Sequence, residues 1–338
     1  MKTFGKRIGS LFLVSAFMAG ALTGCGGSDS GTSANESASG NSSDTPHITV
    51  VLKTLASEYW GYVAKGCEQA GEDLGVTVEV QGASSETAYD EQMNIIETTL
   101  AAGESDAIVI APLQAETVAT QIANTDVPII AVDTNVESDK VISFVGFDNE
   151  EMGAMGGKAA VEAAQKAGWT EITAIGIAGV QGDSTSEARM AGYQKGIEGA
   201  GGVYLADETQ YADGTSDKAV SAMESIIQNH PEGVSIIVCN NDDMAVGAAR
   251  AAAGVPAYEN TIFLGCGGNV GALEAIIAGQ ETMTVAVDGY DVGYRGVEAA
   301  VSVLNGEEVE PFIASPATIV TIENAEEQKA IVEEKQNS

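Results

Sequence analysis

The sequence predicts an α/β protein made of two similar parallel-sheet units, and three observations carry that prediction. Short apolar runs alternate with amphipathic stretches at a regular pace, as parallel strands joined by right-handed helical crossovers do. The runs are almost continuously apolar, as strands covered on both faces should be. Breakers fall where crossovers should end, at Gly75, Gly103, Gly168, Gly201, Gly202, Pro231, Gly254 and Gly279. In the first unit, strands are expected at 48–53, 76–81, 107–111, 128–132 and 141–145, with helices in the gaps. One helix, at 86–102, places Met93, Ile96 and Leu100 on one face at three- and four-residue spacing, which reads as a core-facing stripe. The second series starts at Glu171, with strands at 172–178, 203–206, 235–239, 261–265 and 283–287. In open sheets of this kind ligands bind beyond the carboxyl ends of the strands, so the strand tips are where functional side chains should lie.

The N-terminus reads as an export signal over residues 1–24. Lys2, Lys6 and Arg7 precede an apolar stretch, 8–22, that is too short to cross a bilayer comfortably. It ends in Leu22-Thr23-Gly24-Cys25, which resembles the lipobox of bacterial lipoproteins, where the new N-terminal cysteine carries a diacylglyceryl group. By that resemblance Cys25 is the lipidation site and membrane anchor, and two acyl chains anchor stably where one would not. Residues 25–45 contain no large apolar side chain and read as a flexible tether.

Charge narrows the partners. The chain has 15 basic and 49 acidic residues, for a formal net charge of −34, and three of the basic ones lie in the signal segment. Nucleic acid and anionic lipid surfaces are poor partners for such a field. Beyond Cys25 the cysteines are Cys67, Cys239 and Cys266, with no CxxC pair and no histidine nearby, so neither a metal nor a cofactor is expected. Cys239 and Cys266 both fall near the ends of expected strands. A disulfide between them is geometrically conceivable, beside the plainer reading of buried free thiols.

The strand tips hold the informative side chains. After the first strand, Ser57, Tyr59 and Trp60 open a helix, and aromatics there would face the cleft and stack on the C–H face of a sugar ring. The fourth strand ends in Asp133 and Thr134; the carboxylate would accept from two neighbouring hydroxyls, or else cap a helix. In the second unit Arg189 lies in the first turns of a helix opening toward the same cleft, where its fork suits vicinal hydroxyls or a carboxylate. The third strand of that unit runs into Asn240-Asn241-Asp242-Asp243-Met244-Ala245-Val246-Gly247, again gathering polar groups at a tip.

The stretch from Asn240 to Ala251, the segment Gly146-Phe147-Asp148-Asn149 and the segment from Arg189 to Tyr193 resemble the ribose-binding-protein-type periplasmic sugar-binding family, the solute receptors of ABC importers, over about His47 to Asn324. The resemblance implies a type I periplasmic binding protein: two doubly wound parallel-sheet lobes joined by a three-segment hinge, with crossings near Asp148, Asp288 and Pro316. The implied lobes are 46–147 plus 289–315 and 148–288 plus 316–338. Ser57, Tyr59, Trp60, Asp133, Arg189 and Asn241 stand at sugar-contacting positions, and Thr134, Asp148 and Asp288 join them as candidate contacts. Gln181, Asp183 and Asp242 are looser candidates. The chain departs from the ribose pattern at Ala111, Thr134, Gly214, Gly267 and Val287, where polar or aromatic groups are expected, so ribose itself fits poorly and a larger or less hydroxylated ligand fits better.

The expected role is delivery of a monosaccharide or related polar solute to an ABC permease by a monomeric, lipid-anchored, extracytoplasmic protein, with a Gram-positive type envelope the favoured setting. Two alternatives stay open: the same fold with a furanone-type autoinducer, a polyol, a nucleoside or an amino-acid-like solute, and a sensor that presents its closed form to a chemoreceptor or kinase. Catalysis is not expected. His47 lies beside the tether and His230 at a helix end before Pro231, so neither is placed as a base; a carboxylate pair, Asp133 with Asp242, is the remaining enzymatic option.

Overall fold

The computed structural model describes residues 45–337. Its first sheet takes β1 (His47–Leu52), β2 (Thr77–Gly82), β3 (Ala107–Ile110), β4 (Ile129–Val132) and β5 (Val141–Gly146), and adds β12 (Phe312–Ala314) at its edge, in the order β12-β5-β4-β3-β1-β2. All its pairings are parallel. The second sheet takes β6 (Thr173–Ala178), β7 (Val203–Tyr204), β9 (Ile236–Cys239), β10 (Ile262–Gly267), β11 (Met283–Val287) and β13 (Ala317–Thr321), ordered β13-β11-β10-β9-β6-β7, while the short β8 (Gln210–Tyr211) pairs with β6. Here β13 runs antiparallel to β11. Ten α-helices among the described residues cover these sheets: α1 (Glu58–Leu74), α2 (Tyr89–Ala102), α3 (Ala115–Ile122), α4 (Asn149–Lys166), α5 (Ser184–Gly199), α6 (Ser216–Asn229), α7 (Asp242–Ala252), α8 (Val270–Ile277), α9 (Gly289–Leu304) and α10 (Ala325–Asn337).

Burial explains the strand sequences. The central strands β3, β4 and β9 are buried at every position, because helices close both faces, whereas edge strand β2 alternates exposed and half-buried residues. The expected strand at 203–206 is cut to two residues by a 3₁₀ turn at Ala206–Glu208. Strand β12 is only 3 residues long and β13 only 5, and Phe312 is 46% exposed, which is why the sequence pattern does not announce them. Helix α2 starts three residues later than the pattern suggests; Ile96 faces the core with Gln92 and Thr99 beside it, and Met93 and Leu100 are half-buried.

The chain passes between the sheets three times. It leaves β5 for α4, which packs on α5 and the second sheet; it returns after β11 through α9, which packs on α1, β3 and β4; and it crosses last between β12 and β13. Helix contacts are close. A Cβ added at Gly293 of α9 would lie 2.0 Å from the Val63 carbonyl oxygen of α1, and one at Gly192 of α5 would lie 2.2 Å from that of Glu150 on α4. Only glycine permits such backbone approach.

Cys67, Cys239 and Cys266 are buried free thiols. The β9–β10 register places Val238 opposite Leu264, so Cys266 is one residue past the position facing Cys239. Successive side chains point to opposite faces, and the two thiols pack in different core clusters, which rules out the conceivable disulfide. No described helix is long and apolar enough to cross a membrane. Cys25 lies outside the described residues.

Candidate functional site

The carboxyl ends of both sheets face one cavity of about 60 Å³, lined by Ser57, Tyr59, Trp60 and Asp133 of the first lobe and Arg189 and Asn241 of the second. Six of the sequence candidates thus converge, together with the looser candidates Asp183 and Asp242. Tyr59 and Trp60 stand on the first turn of α1 with their rings edge to face, 5.2 Å between centroids. The Tyr59 hydroxyl donates to Asp133 Oδ1 at 2.8 Å, and the Trp60 indole N–H donates to Glu86 Oε1 at 2.9 Å. Burial, then the neighbouring Asp133 carboxylate, pushes the Tyr59 phenol well up, so it stays a donor.

Thr134 is buried beside the cavity rather than in its lining. Its hydroxyl reaches Asp133 Oδ2 at 3.0 Å and Thr185 Oγ1 at 2.6 Å, the latter across the gap between lobes. Asp148 and Asp288 stand elsewhere. Asp148 caps α4 by accepting from Glu151 N at 2.9 Å and faces a neighbouring groove; Asp288 caps α9 by accepting from Asp291 N at 3.0 Å and pairs with Lys335. At a strand tip that leads into a helix, an Asp answers the orphan N–H groups of that helix, and sequence does not separate this use from ligand contact.

Caps and contacts coincide at other tips. Asn241 accepts from Met244 N at 2.9 Å, Asp183 from Ser186 N at 2.7 Å and Asn269 from Ala272 N at 2.7 Å, and all three also line the cavity. Gln181 is exposed and outside the lining. Of the positions that depart from the ribose pattern, Gly267 and Val287 line the cavity and leave it without polar groups there; Ala111 is buried behind it, and the Gly214 carbonyl accepts from Asn241 Nδ2 at 2.9 Å.

Arg189 is buried and committed. Its Nε and Nη2 donate to Asn149 Oδ1 at 3.2 and 2.7 Å, and Nη1 donates to the Asn240 carbonyl at 2.6 Å. Asp242, which also lines the cavity, accepts from Thr284 Oγ1 at 2.6 Å and from Gly268 N at 2.6 Å; burial still raises its carboxyl to about 6. Beside it, Glu281 is 3% exposed with neither carboxyl oxygen hydrogen-bonded, and burial followed by Asp242 pushes its pKa well up.

Sequence reasoning missed Lys53, Glu86, Asp243 and Cys266, which also line the cavity. Lys53 carried a usable signal, a lone charge ending the apolar run of β1. Glu86 carried none, since it sits in the loop before α2 and meets Trp60 only through the fold. Across the gap Lys53 Nζ donates to Asp183 Oδ2 at 2.5 Å, and Glu58 and Tyr62 of α1 accept from Gly271 N and Val270 N at 3.3 and 3.2 Å. The lobes therefore meet, and the cleft is shut. Neither described histidine lines the cavity; His230 pairs with Glu208 and Glu232. Among the described residues no group of three or more His, Cys, Asp or Glu is placed to hold a metal ion.

Two α/β lobes joined by three crossings, with carboxylates and paired aromatics in the cleft between them, define a two-lobed receptor for a small polar solute. The chain belongs to the family described as "Periplasmic binding protein domain", whose profile matches residues 48–308. It is 28% identical over 277 residues to the D-allose-binding periplasmic protein of Escherichia coli, covering 79% of this chain and 87% of that protein. It is 27% identical over 292 residues to the ribose import binding protein of Bacillus subtilis, covering 83% and 90%. The structure of a carbohydrate transporter solute binding protein from Agrobacterium radiobacter, in complex with D-arabinose, superposes with a TM-score of 0.78 at 28% identity, covering 86% of this chain and all of that one. The family places the protein outside the cytoplasm, and the relatives are binding proteins rather than enzymes.

Proposed function

We propose that the protein is the extracytoplasmic solute receptor of an ABC importer, binding a monosaccharide or related polyhydroxylated solute between its lobes and delivering it to the permease. One observation carries this reading: Ser57, Tyr59, Trp60 and Asp133 from one lobe and Arg189 and Asn241 from the other line a single cavity. Carboxylates there accept from hydroxyls, and the aromatic pair offers a face for a sugar ring. Contacts to both walls exist only in the shut form, so solute shifts the open-to-closed equilibrium by its differential affinity, and the permease reads the shut form. The donors and lone pairs that Asp133, Arg189 and Asn241 retain beyond these internal bonds are the proposed contacts. Asp148, Asp288 and Thr134 are assigned to shaping the walls and the hinge.

A thermal-shift panel of aldoses, ketoses, polyols and nucleosides tests the reading. A ligand at 100 times its dissociation constant adds about 2.7 kcal/mol of stability. No shift with any aldose or ketose overturns the sugar assignment, and a shift confined to polyols or nucleosides reassigns the cleft within the same fold.

The remaining assignments are a signal peptide at 1–24, a tether at 25–45 and a diacylglyceryl anchor at Cys25 on a monomeric protein. The proposed lobes are 46–147 plus 289–315 and 148–288 plus 316–338. Metabolic labelling with a fatty acid should mark the wild-type chain and not Cys25→Ser; equal labelling removes the anchor from the proposal.

A further inference from the structure

The cavity lining is unbalanced in charge. Glu86, Asp133, Asp183, Asp242 and Asp243 face two cations, Lys53 and Arg189. Sorted by lobe, the first wall holds Glu86 and Asp133 with Lys53, and the second holds Asp183, Asp242 and Asp243 with Arg189. Like charge therefore meets like charge when the cleft shuts, in a site where Lys53, Asp133, Asp242 and Arg189 are buried and screening is weak. Arg189 offsets part of this from the second wall, but the three donors it uses go to Asn149 and the Asn240 carbonyl within its own lobe and make no bond across the gap.

Lys53 has a different position. It leaves the tip of β1 with its side chain 4% exposed, and its ammonium reaches across the gap to Asp183, whose side chain is 10% exposed, at 2.5 Å. Burial alone would lower its pKa, but Asp183, Asp133 and Glu86 outweigh that and raise it, so the group stays charged. The Asp183 carboxyl moves the opposite way: burial would raise it, and Lys53 with the Ser186 amide brings it below its usual value.

We propose that Lys53 is the positioning residue that lets the cleft shut: its ammonium binds Asp183 of the second lobe while neutralising Glu86 and Asp133 of the first. The Lys53–Asp183 pair acts between the lobes and not within either fold, so its loss opens the cleft and leaves both lobes intact. Closure then carries an electrostatic condition on the solute. An anionic solute adds to the excess of carboxylates, whereas a neutral donor-rich one satisfies them, so sugar acids and sugar phosphates are rejected. The inference rests on the receptor reading for what closure serves, and its test reads closure itself rather than affinity.

The experiment is small-angle scattering on the full-length protein and three variants, each without solute and with a saturating sugar from the thermal panel, with circular dichroism to confirm folding. With sugar, Lys53→Met should keep a radius of gyration above that of wild type, since three carboxylates lose their counter-charge. Asp183→Asn should raise it less, because asparagine still caps α5 and adds no repulsion. The double variant Lys53→Met/Asp183→Asn should be more compact than Lys53→Met alone, a rescue that a packing role for Lys53 does not produce. The proposal is overturned if, with sugar, Lys53→Met is as compact as wild type, or if the double variant is as open as the single one. Should Lys53→Met fail to fold, Asp183→Asn decides: unchanged compactness overturns the proposal. For any sugar found in the thermal panel, Lys53→Met should weaken binding at least tenfold, and the corresponding sugar acid should bind at least tenfold more weakly than its neutral parent. A protein that binds no sugar yet opens on Lys53→Met overturns the receptor reading and keeps this one.

Discussion

Tyr59 donates to Asp133 across 2.8 Å, and Asp133 receives it from a left-handed backbone with φ 60°. Few non-glycine residues adopt that conformation, and Asp and Asn are the ones that tolerate it. The strained turn after β4 swings the carboxylate into the cleft, where a helix-capping aspartate would have pointed at its own backbone.

Two substitutions separate the backbone from the charge. Asp133→Asn should keep the melting temperature near wild type and weaken sugar binding at least tenfold by titration calorimetry. Asp133→Val should add a stability loss of about 1–2 kcal/mol from the left-handed backbone, read from the urea midpoint.

Arg189 supports the wall as well as facing the solute. Arg189→Ala strips the donors from Asn149 Oδ1 and the Asn240 carbonyl, and each buried acceptor left unpaired costs about 1–3 kcal/mol. Melting temperature and affinity should therefore fall together, and Arg189→Lys should recover part of the stability without the affinity, because an ammonium cannot span both partners.

The Asp242–Glu281 pair sets a pH dependence. Both carboxyls titrate higher in the folded protein than in the unfolded chain, so the native state holds their protons more tightly. Their contribution to stability is present at low pH and is lost as pH rises, between about 4 and about 6 for Asp242. Glu281→Gln should raise the melting temperature at pH 8, and the difference should close at pH 5 in parallel thermal scans.

Gly293 bears on the fold without touching the solute. Gly293→Ala drives a methyl against the Val63 carbonyl, where a Cβ would sit 2.0 Å away, and should cost about 1–3 kcal/mol by overpacking. The urea midpoint should drop with affinity unchanged in the folded fraction.

The strand series, both lobes and six lining residues were legible in the sequence because apolar runs and strand-tip polar groups are local patterns. Asp148 and Asp288 were ambiguous for a physical reason: a carboxylate that caps a helix and one that meets a ligand occupy the same place after a strand. Glu86 was invisible, since its partner Trp60 is 26 residues away and the contact exists only after folding. Lys53 could have been found, as a charge at the end of a strand that is otherwise buried needs a partner, and the chain has many carboxylates to offer. Strands β12 and β13 give little periodic signal because edge strands of 3 and 5 residues are too short to display one clearly.

Those two late strands also impose an order of events on synthesis. The first sheet begins at His47 yet obtains its last strand from Phe312–Ala314, and its covering helix α9 starts at Gly289. The N-terminal half of the chain thus emerges long before it can be completed, exposing the α1 surface and the free edge of β5 while the second lobe is still being made. A nascent chain halted before residue 289 should remain vulnerable to proteases in its oldest part, and the protection of residues synthesised first should arrive only with those synthesised last.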